Sequence, residues 1–239
     1  MGIFRARPNG SLADNPNDAA PGRHNWYGEQ VVQPMGGGNW GFADEGSYFV
    51  ATNATLATGI AGHAAPVVAD TDTKALLHLF NGGSRNIVLD FLQLEVTAAG
   101  TAGTLHYTVV YIDNKGSTAL SSGGTSITPV NANSGSTVAS AASITFGACV
   151  TAMTSSRKVG QMIVRSVIPV VQDTTVMKFG GPNAGYTSSL QTSGTAIAHA
   201  VQHFAPVVIG PGGNLNISQI RPSQSAASSY QFQLGYWER

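Results

Sequence analysis

Apolar and polar residues alternate along most of the chain after residue 46, and this period of two predicts β-strands. The clearest case is the stretch 229–237. One of its faces carries large apolar side chains, namely Tyr230, Phe232, Leu234 and Tyr236, and the other carries Gln231, Gln233, Gly235 and Trp237. A strand with this pattern is half-buried, with its aromatic face toward a core.

Similar stretches, separated by Gly, Asn, Asp and Pro turns, predict further strands. They cover residues 48–52, 74–80, 86–97, 105–112, 126–130, 143–150, 161–171, 176–179, 199–209 and 214–220. Pro169 predicts an edge or a bulge in its strand, because proline lacks the backbone N–H that a central strand needs. Asp70 or Thr71 could instead cap a short helix ending at Phe80, but the residue types around it favour a strand.

The stretch 86–97 is apolar on both faces at its start. Its even positions place Val88, Asp90, Leu92, Leu94 and Val96 on one face, and its odd positions place Ile87, Leu89, Phe91, Gln93 and Glu95 on the other. A regular strand would therefore hold Asp90 and Glu95 on opposite faces, which argues against a paired-carboxylate site.

Many strands with few helix signals predict an all-β fold, an antiparallel β-sandwich of the jelly-roll kind. We expect an extended, irregular N-terminal arm over residues 1–46 and a jelly-roll domain over residues 47–239. The Ser/Gly/Thr/Asn/Ala-rich segment 114–143 predicts long connections between strands rather than a linker between domains.

Charge is scarce in this sequence. Charged residues make up 10% of the chain, and the formal net charge is zero. A surface with little charge is cheap to desolvate, so it suits burial against other protein subunits. We expect a stable homo-oligomer, a homotrimer in the first instance. The cations are scattered, which argues against nucleic acid as a specific partner.

Four large aromatic residues in the predicted arm are the candidate partner interface: Trp26, Tyr27, Trp40 and Phe42. An irregular segment cannot bury such rings by itself. Two interpretations stay open, because the rings either anchor onto a neighbouring subunit or lie across the chain's own sandwich.

Short motifs with catalytic or metal-binding associations lack their context. Gly36, Gly38 and Gly41 fit a dinucleotide fingerprint but lie in the arm, not between a strand and a helix. On a strand, His199 and His203 would stand roughly 13 Å apart. Ser155 and Lys158 have the spacing of a penicillin-recognising serine motif, without its companion elements. Cys149 is a lone cysteine among small apolar residues. We expect no enzyme, no metal site and no cofactor.

Targeting signals are also missing from the sequence as given. Its first residues lack the apolar stretch of a signal peptide, and no apolar run is long enough to span a membrane. We therefore expect neither secretion nor a membrane partner.

Two C-terminal stretches resemble known proteins. The run PVVIGPGGNLNI at 206–217, an apolar strand, a Pro-Gly turn and a second strand, resembles the late strands of viral jelly rolls. The ending SAASSYQFQLGYWER at 225–239 resembles the closing strand of virion proteins from tailed bacteriophages. The neutral, small-residue composition and the aromatic arm are similar to those proteins too.

The resemblance implies a virion component that assembles in the host cytoplasm. Within that group we expect a capsid decoration, or cement, protein that packs against the major capsid protein. The alternative is a tail, fibre or baseplate module that binds a host receptor or glycan. The resemblance implies no catalytic residues.

Overall fold

β-strands, the element that the sequence predicts, make up the regular structure of the part of the chain that the computed structural model describes, although the short strands Ile60–Ala61, Leu120–Ser122 and Thr187–Ser188 were not predicted. The described residues are 43, 45–53, 55, 58–64, 70–100, 106–165, 169–180, 187–188, 199–222 and 224–239. Their sixteen strands are β1 (Tyr48–Thr52), β2 (Ile60–Ala61), β3 (Lys74–Asn81), β4 (Ile87–Ala98), β5 (His106–Asp113), β6 (Leu120–Ser122), β7 (Thr125–Ile127), β8 (Val130–Asn131), β9 (Ala142–Thr151), β10 (Arg157–Arg165), β11 (Thr174–Phe179), β12 (Thr187–Ser188), β13 (His199–Phe204), β14 (Val208–Ile209), β15 (Asn214–Ile220) and β16 (Ser229–Glu238).

The strands form two sheets that pack face to face. The nine-stranded sheet runs in the order β12-β13-β11-β4-β16-β1-β8, with β14 beside β4 and β2 beside β16. The seven-stranded sheet runs β10-β5-β15-β3-β9-β6, with β7 beside β9. All pairs are antiparallel except β11 with β13. The predicted all-β antiparallel sandwich is confirmed.

Eight long strands carry the jelly-roll topology. In chain order they are β1, β3, β4, β5, β10, β11, β15 and β16. One sheet contains, as neighbours in this order, the first, eighth, third and sixth of these strands (β1, β16, β4 and β11). The other contains the second, seventh, fourth and fifth (β3, β15, β5 and β10). This is the strand order of a jelly roll, in which two Greek keys fold over each other.

The chain between β5 and β10 is an addition to that frame. It places β9 beside β3 in one sheet and β8 beside β1 in the other. Because β3 and β1 are terminal strands of the eight-stranded frame, the addition widens both sheets. The segment 114–143, predicted as long connections, thus contains three short strands and the start of β9.

The core lies between the two sheets and is made of aliphatic and aromatic side chains. Phe146 of β9 and Phe232 of β16 stack across it with ring centroids 4.1 Å apart. Leu77 and Ile217 from one sheet and Leu92 from the other are fully buried. Burying such side chains contributes about 1.5–3 kcal/mol each, so this interface is the main source of stability.

The expected face assignment of β4 is wrong at its start. Ile87 and Leu89 are buried, and so are Leu92, Leu94 and Val96. Opposite β16, the register shifts between Leu89 and Phe91, so Asp90 is an extra residue, a β-bulge. The bulge moves the inward positions from odd to even numbers, and it brings Asp90 and Glu95 to the same outer face.

Two other predicted strands differ in extent. The stretch 161–171 yields β10, which begins at Arg157 and ends at Arg165, and Pro169 lies beyond it. β10 is the terminal strand of its sheet, and Pro169, expected to lie in an edge strand or a bulge, is not part of it. The stretch 199–209 divides into β13 and β14, with Pro206 between them. No helix among the described residues is long and apolar enough to cross a membrane.

Candidate interaction surface

Residues 116–143 form a surface, here called the uncharged rim, that closes one side of the sandwich. The chain contains no Asp, Glu, Lys, Arg or His from residue 116 to residue 156. Within the rim, β6 and β7 extend the seven-stranded sheet and β8 extends the nine-stranded sheet. The rim therefore spans from the edge of one sheet to the edge of the other.

Buried polar side chains of the seven-stranded sheet hold the beginning of the rim. The backbone N–H of Ala119 donates to Oδ1 of Asn214 over 2.7 Å, and Nδ2 of Asn214 donates to the carbonyl of Ser117 over 3.0 Å. Nε2 of His78 lies 3.3 Å from Oγ1 of Thr118. Asn214 and His78 are buried, so these bonds are shielded from competing water.

Asn131 of β8 organises the middle of the rim. Its Nδ2 lies 2.8 Å from the carbonyl oxygen of Gly46 and 3.1 Å from that of Val138. Its Oδ1 accepts a 2.9 Å bond from the N–H of Asn133. One amide thus joins the rim to residue 46, where the chain leads into β1.

The carboxylate of Glu238, at the end of β16, holds the end of the rim. Oε1 of Glu238 accepts hydrogen bonds from Oγ of Ser140 at 2.6 Å and from the N–H of Ala141 at 3.0 Å. The hydroxyl of Tyr236 lies 2.7 Å from the same Ser140 oxygen. Burial, more than any other cause, raises the pKa of Tyr236, so its hydroxyl keeps its proton.

The outer surface of the rim is small, neutral and partly apolar. Val130 is 61% exposed and Val138 is 47% exposed, and both lie close to Asn131. The remaining exposed residues are mostly Ser, Thr, Ala, Asn and Gly. Such a surface can be buried against a protein without leaving a charge unpaired.

The four arm residues predicted to anchor a partner, Trp26, Tyr27, Trp40 and Phe42, lie outside the described residues. Their role stays a prediction. The last residues of the predicted arm are described, and Gly46 is buried beside the rim. A side chain at Gly46 would overlap Ser136, and φ is +71° there, so glycine is required on both counts.

His199 and His203, predicted to lie too far apart to bind one metal ion, are both on β13, four positions apart. His199 is directly opposite Thr174 of β11, and His203 is opposite Lys178. Among the residues that the structure describes, no group of three or more His, Cys, Asp or Glu side chains is arranged to hold a metal ion.

The Ser155 and Lys158 pair is used in separate structural contacts. The N–H of Ser155 donates to Asp113 over 3.1 Å. Nζ of Lys158 forms an ion pair with Asp70 at 2.5 Å, to which Tyr111 also donates a hydrogen bond. Cys149 is fully buried, and burial raises the pKa of its thiol to about 12.

Comparison with known proteins gives no further assignment: no family model, no curated protein and no solved structure matches the chain. No sequence pattern singles out the side chains that hold the rim in place, those of Asn131, Asn214 and Glu238. The signal that marks the rim itself is the long run without charge. Nothing in a single sequence distinguishes an asparagine that holds a loop from an asparagine that faces water.

Proposed function

We propose that this chain is a structural virion protein that decorates or cements a capsid by packing against major capsid protein subunits. The observation that carries the proposal is the uncharged rim. It spans the edges of both sheets, is fastened from within by buried polar side chains, and exposes Val130 and Val138. A pre-ordered neutral surface loses little conformational entropy and little hydration on binding.

The predicted arm completes the proposed interface. The chain enters β1 from residue 46, which Asn131 holds against the rim. An arm that begins there can extend over a neighbouring subunit together with the rim. Trp26, Tyr27, Trp40 and Phe42 are the proposed anchors, because buried aromatic residues contribute most to interface energies.

The jelly-roll fold and the low charge of the sequence support the same proposal. The strand order is that of a jelly roll, an architecture found in viral capsid proteins and also in lectins and cupins. Since a fold does not fix a function, the support for this role comes from the surface. Low charge further supports self-association, and we propose a homotrimer.

Immunogold electron microscopy tests the location. Antibody against this chain should label the shells of purified particles of the virus whose genome encodes it. Label on the tail alone would favour a tail, fibre or baseplate module instead. Particles without label, confirmed to lack the chain by mass spectrometry, would refute both assignments.

Arm variants test the interface. Deletion of residues 1–42 should leave the melting temperature nearly unchanged while binding to particles stripped of the protein is lost. Trp26→Ala with Trp40→Ala should weaken that binding by about 2 kcal/mol for each anchor, and Trp26→Phe with Trp40→Phe is the matched control. A lower melting temperature after deletion, with binding retained, would show that the arm covers its own sandwich.

A further inference from the structure

A polar hollow of about 280 Å³ lies on the outer face of the nine-stranded sheet. It is distinct from the uncharged rim. Side chains from three neighbouring strands line it: Thr52 of β1, Gln93 and Glu95 of β4, and Gln231 and Gln233 of β16. Its volume is just below the roughly 300 Å³ at which small-molecule pockets begin, so it suits a compact ligand.

The strand register places these side chains next to one another. Gln93 is directly opposite Gln233, and Gln233 is in turn opposite Thr52. Glu95 is opposite Gln231. Side chains opposite one another on adjacent strands have Cβ atoms about 5 Å apart, so the three amides and the carboxylate form one continuous polar floor.

Asn53 fixes the wall of the hollow. Its Nδ2 donates to the carbonyl of Tyr230 over 3.1 Å, and its Oδ1 accepts from the N–H of Phe232 over 3.0 Å. Both ends of this amide are thereby engaged by the backbone of β16. The wall is therefore rigid, and a ligand would meet a site that is already formed.

Gln231 supplies a donor that the described residues do not use. Its Nε2 is buried and has no hydrogen-bond partner among them. Buried polar atoms without a partner are rare in folded proteins. Because this atom is covered, the Gln231 amide has to turn toward the hollow before a ligand oxygen can accept from it.

The chemistry of the lining selects the class of ligand. Carboxamides and hydroxyls both donate and accept hydrogen bonds, and Glu95 accepts them. Among the described residues that line the hollow there is no Lys, Arg or His to attract an anion, and the one carboxylate among them is too few to hold a metal cation. A neutral molecule with several adjacent hydroxyl groups matches this set of donors and acceptors.

An aromatic ring lies one outward position along β4 from the hollow. Phe91 precedes Gln93 and Glu95 in the outward row of β4, because the bulge at Asp90 directs it to the outer face. It is partly exposed, and Gly235 opposite it has no side chain to cover it. A sugar ring has an apolar C–H face that can pack on such an aromatic ring while its hydroxyls reach the amides. We propose that the hollow binds a neutral saccharide.

Saturation-transfer difference NMR on the full chain tests the proposal. The probes are glucose, galactose, mannose, N-acetylglucosamine and N-acetylgalactosamine at millimolar concentration. At least one should receive saturation. On titration, ¹⁵N spectra should show shifts in the side-chain amides of Gln93, Gln231 and Gln233. Failure of every sugar to receive saturation, or shifts located elsewhere, would overturn the proposal.

Substitutions of the lining residues test which side chains bind the sugar. Gln93→Ala and Gln233→Ala should each weaken binding about threefold to tenfold, the effect of losing one hydrogen bond. Gln161→Ala, an exposed glutamine on β10 of the other sheet, is the matched control and should bind like the wild type. Equal affinity in all three variants would overturn the proposal.

Glu95→Gln tests whether the ligand is neutral. It keeps one acceptor oxygen, replaces the other by an NH₂ donor and removes the charge, so a neutral sugar should bind within about threefold of the wild-type affinity. Complete loss of sugar binding in this variant would show that the site depends on the charge of Glu95, and would overturn the proposal that neutral donors and acceptors select the ligand. The virion proposal does not depend on this site, and neither result changes the immunogold outcome.

Discussion

Gly235 of β16 lies directly opposite Phe91 of β4, and a side chain at residue 235 would overlap the Phe91 ring. It would also overlap the hydroxyl of Tyr48, which donates to Asp90 at 2.7 Å. Glycine at this position therefore makes room for the bulge of β4. The bulge in turn brings Phe91 to the outer face beside the polar hollow.

Gly235→Ala should destabilise the fold. The added methyl group forces the Phe91 ring and the Tyr48 hydroxyl to move, and overpacking of this kind costs about 1–3 kcal/mol. Chemical denaturation monitored by circular dichroism measures the loss. Gln233→Ala, two residues earlier on the same face, is the control and should change stability much less. An unaltered denaturation midpoint in Gly235→Ala would show that the neighbours give way freely.

Asn131→Ala should loosen the rim. The substitution leaves the carbonyl of Gly46 and the N–H of Asn133 without their amide partner, at a cost of about 1–3 kcal/mol. Hydrogen exchange should rise over residues 130–140 and at the start of β1. Ser134→Ala, on the exposed part of the same loop, should leave exchange as in the wild type. Equal exchange in both variants would mean that Asn131 is dispensable.

Cys149 should resist alkylation in the folded chain. Its thiol is fully buried and its pKa is raised to about 12 by burial, so the reactive thiolate is scarce. Iodoacetamide at pH 8 should react at least about a hundredfold more slowly than in the urea-unfolded chain. Comparable rates would show that the surrounding strands open readily.

The same thiol predicts a loss of stability in alkali. Folding favours the protonated thiol, so this contribution is fully present below the ordinary pKa of 9.0 and is lost as pH rises from there toward about 12. The slope is at most about 1.4 kcal/mol per pH unit. Cys149→Ala should show a shallower alkaline loss in denaturant titrations, after correction for its own stability at pH 7.

His78 should make the fold sensitive to mild acid. Asn216 donates to Thr151 and to the carbonyl of Asp72, so its Oδ1, 2.8 Å from Nδ1 of His78, is the acceptor of that pair. Burial lowers the pKa of His78, despite the opposing effect of this hydrogen bond. The neutral imidazole is favoured in the folded state, so stability is complete above pH 6.5 and falls as pH drops below it.

Denaturant titrations at pH 7.5, 6.5 and 5.5 measure this effect. The wild type should lose stability between pH 6.5 and 5.5, by up to about 1.4 kcal/mol per pH unit from His78. His78→Gln should be less stable at pH 7.5 but should lose less on acidification. An identical loss in both proteins would assign the acid sensitivity elsewhere, for example to His63, whose pKa burial also lowers.

The sequence predicts the position of a strand correctly where only one face of that strand is buried. The alternation in β16 and the Gly-Pro turn before β15 place both strands correctly to within a residue. The face of β4 could not be predicted at its start, because Val88 and Leu89 are equally apolar and only the pairing with β16 reveals the extra residue. Likewise the polar hollow needs register, since Gln93 and Gln233 are far apart in sequence and become neighbours only through β4–β16 pairing.

β16 follows the other fifteen described strands in the sequence and is also one of the innermost, lying between β4 and β1 and reaching β2. On the ribosome, β1 and β4 are made long before the strand that joins them. Until residues 229–238 emerge, each of these two strands presents an open edge able to pair with another nascent chain. A premature stop before residue 229 should therefore yield insoluble protein rather than a smaller folded domain, and chaperone demand during synthesis should persist at least until β16 has been translated.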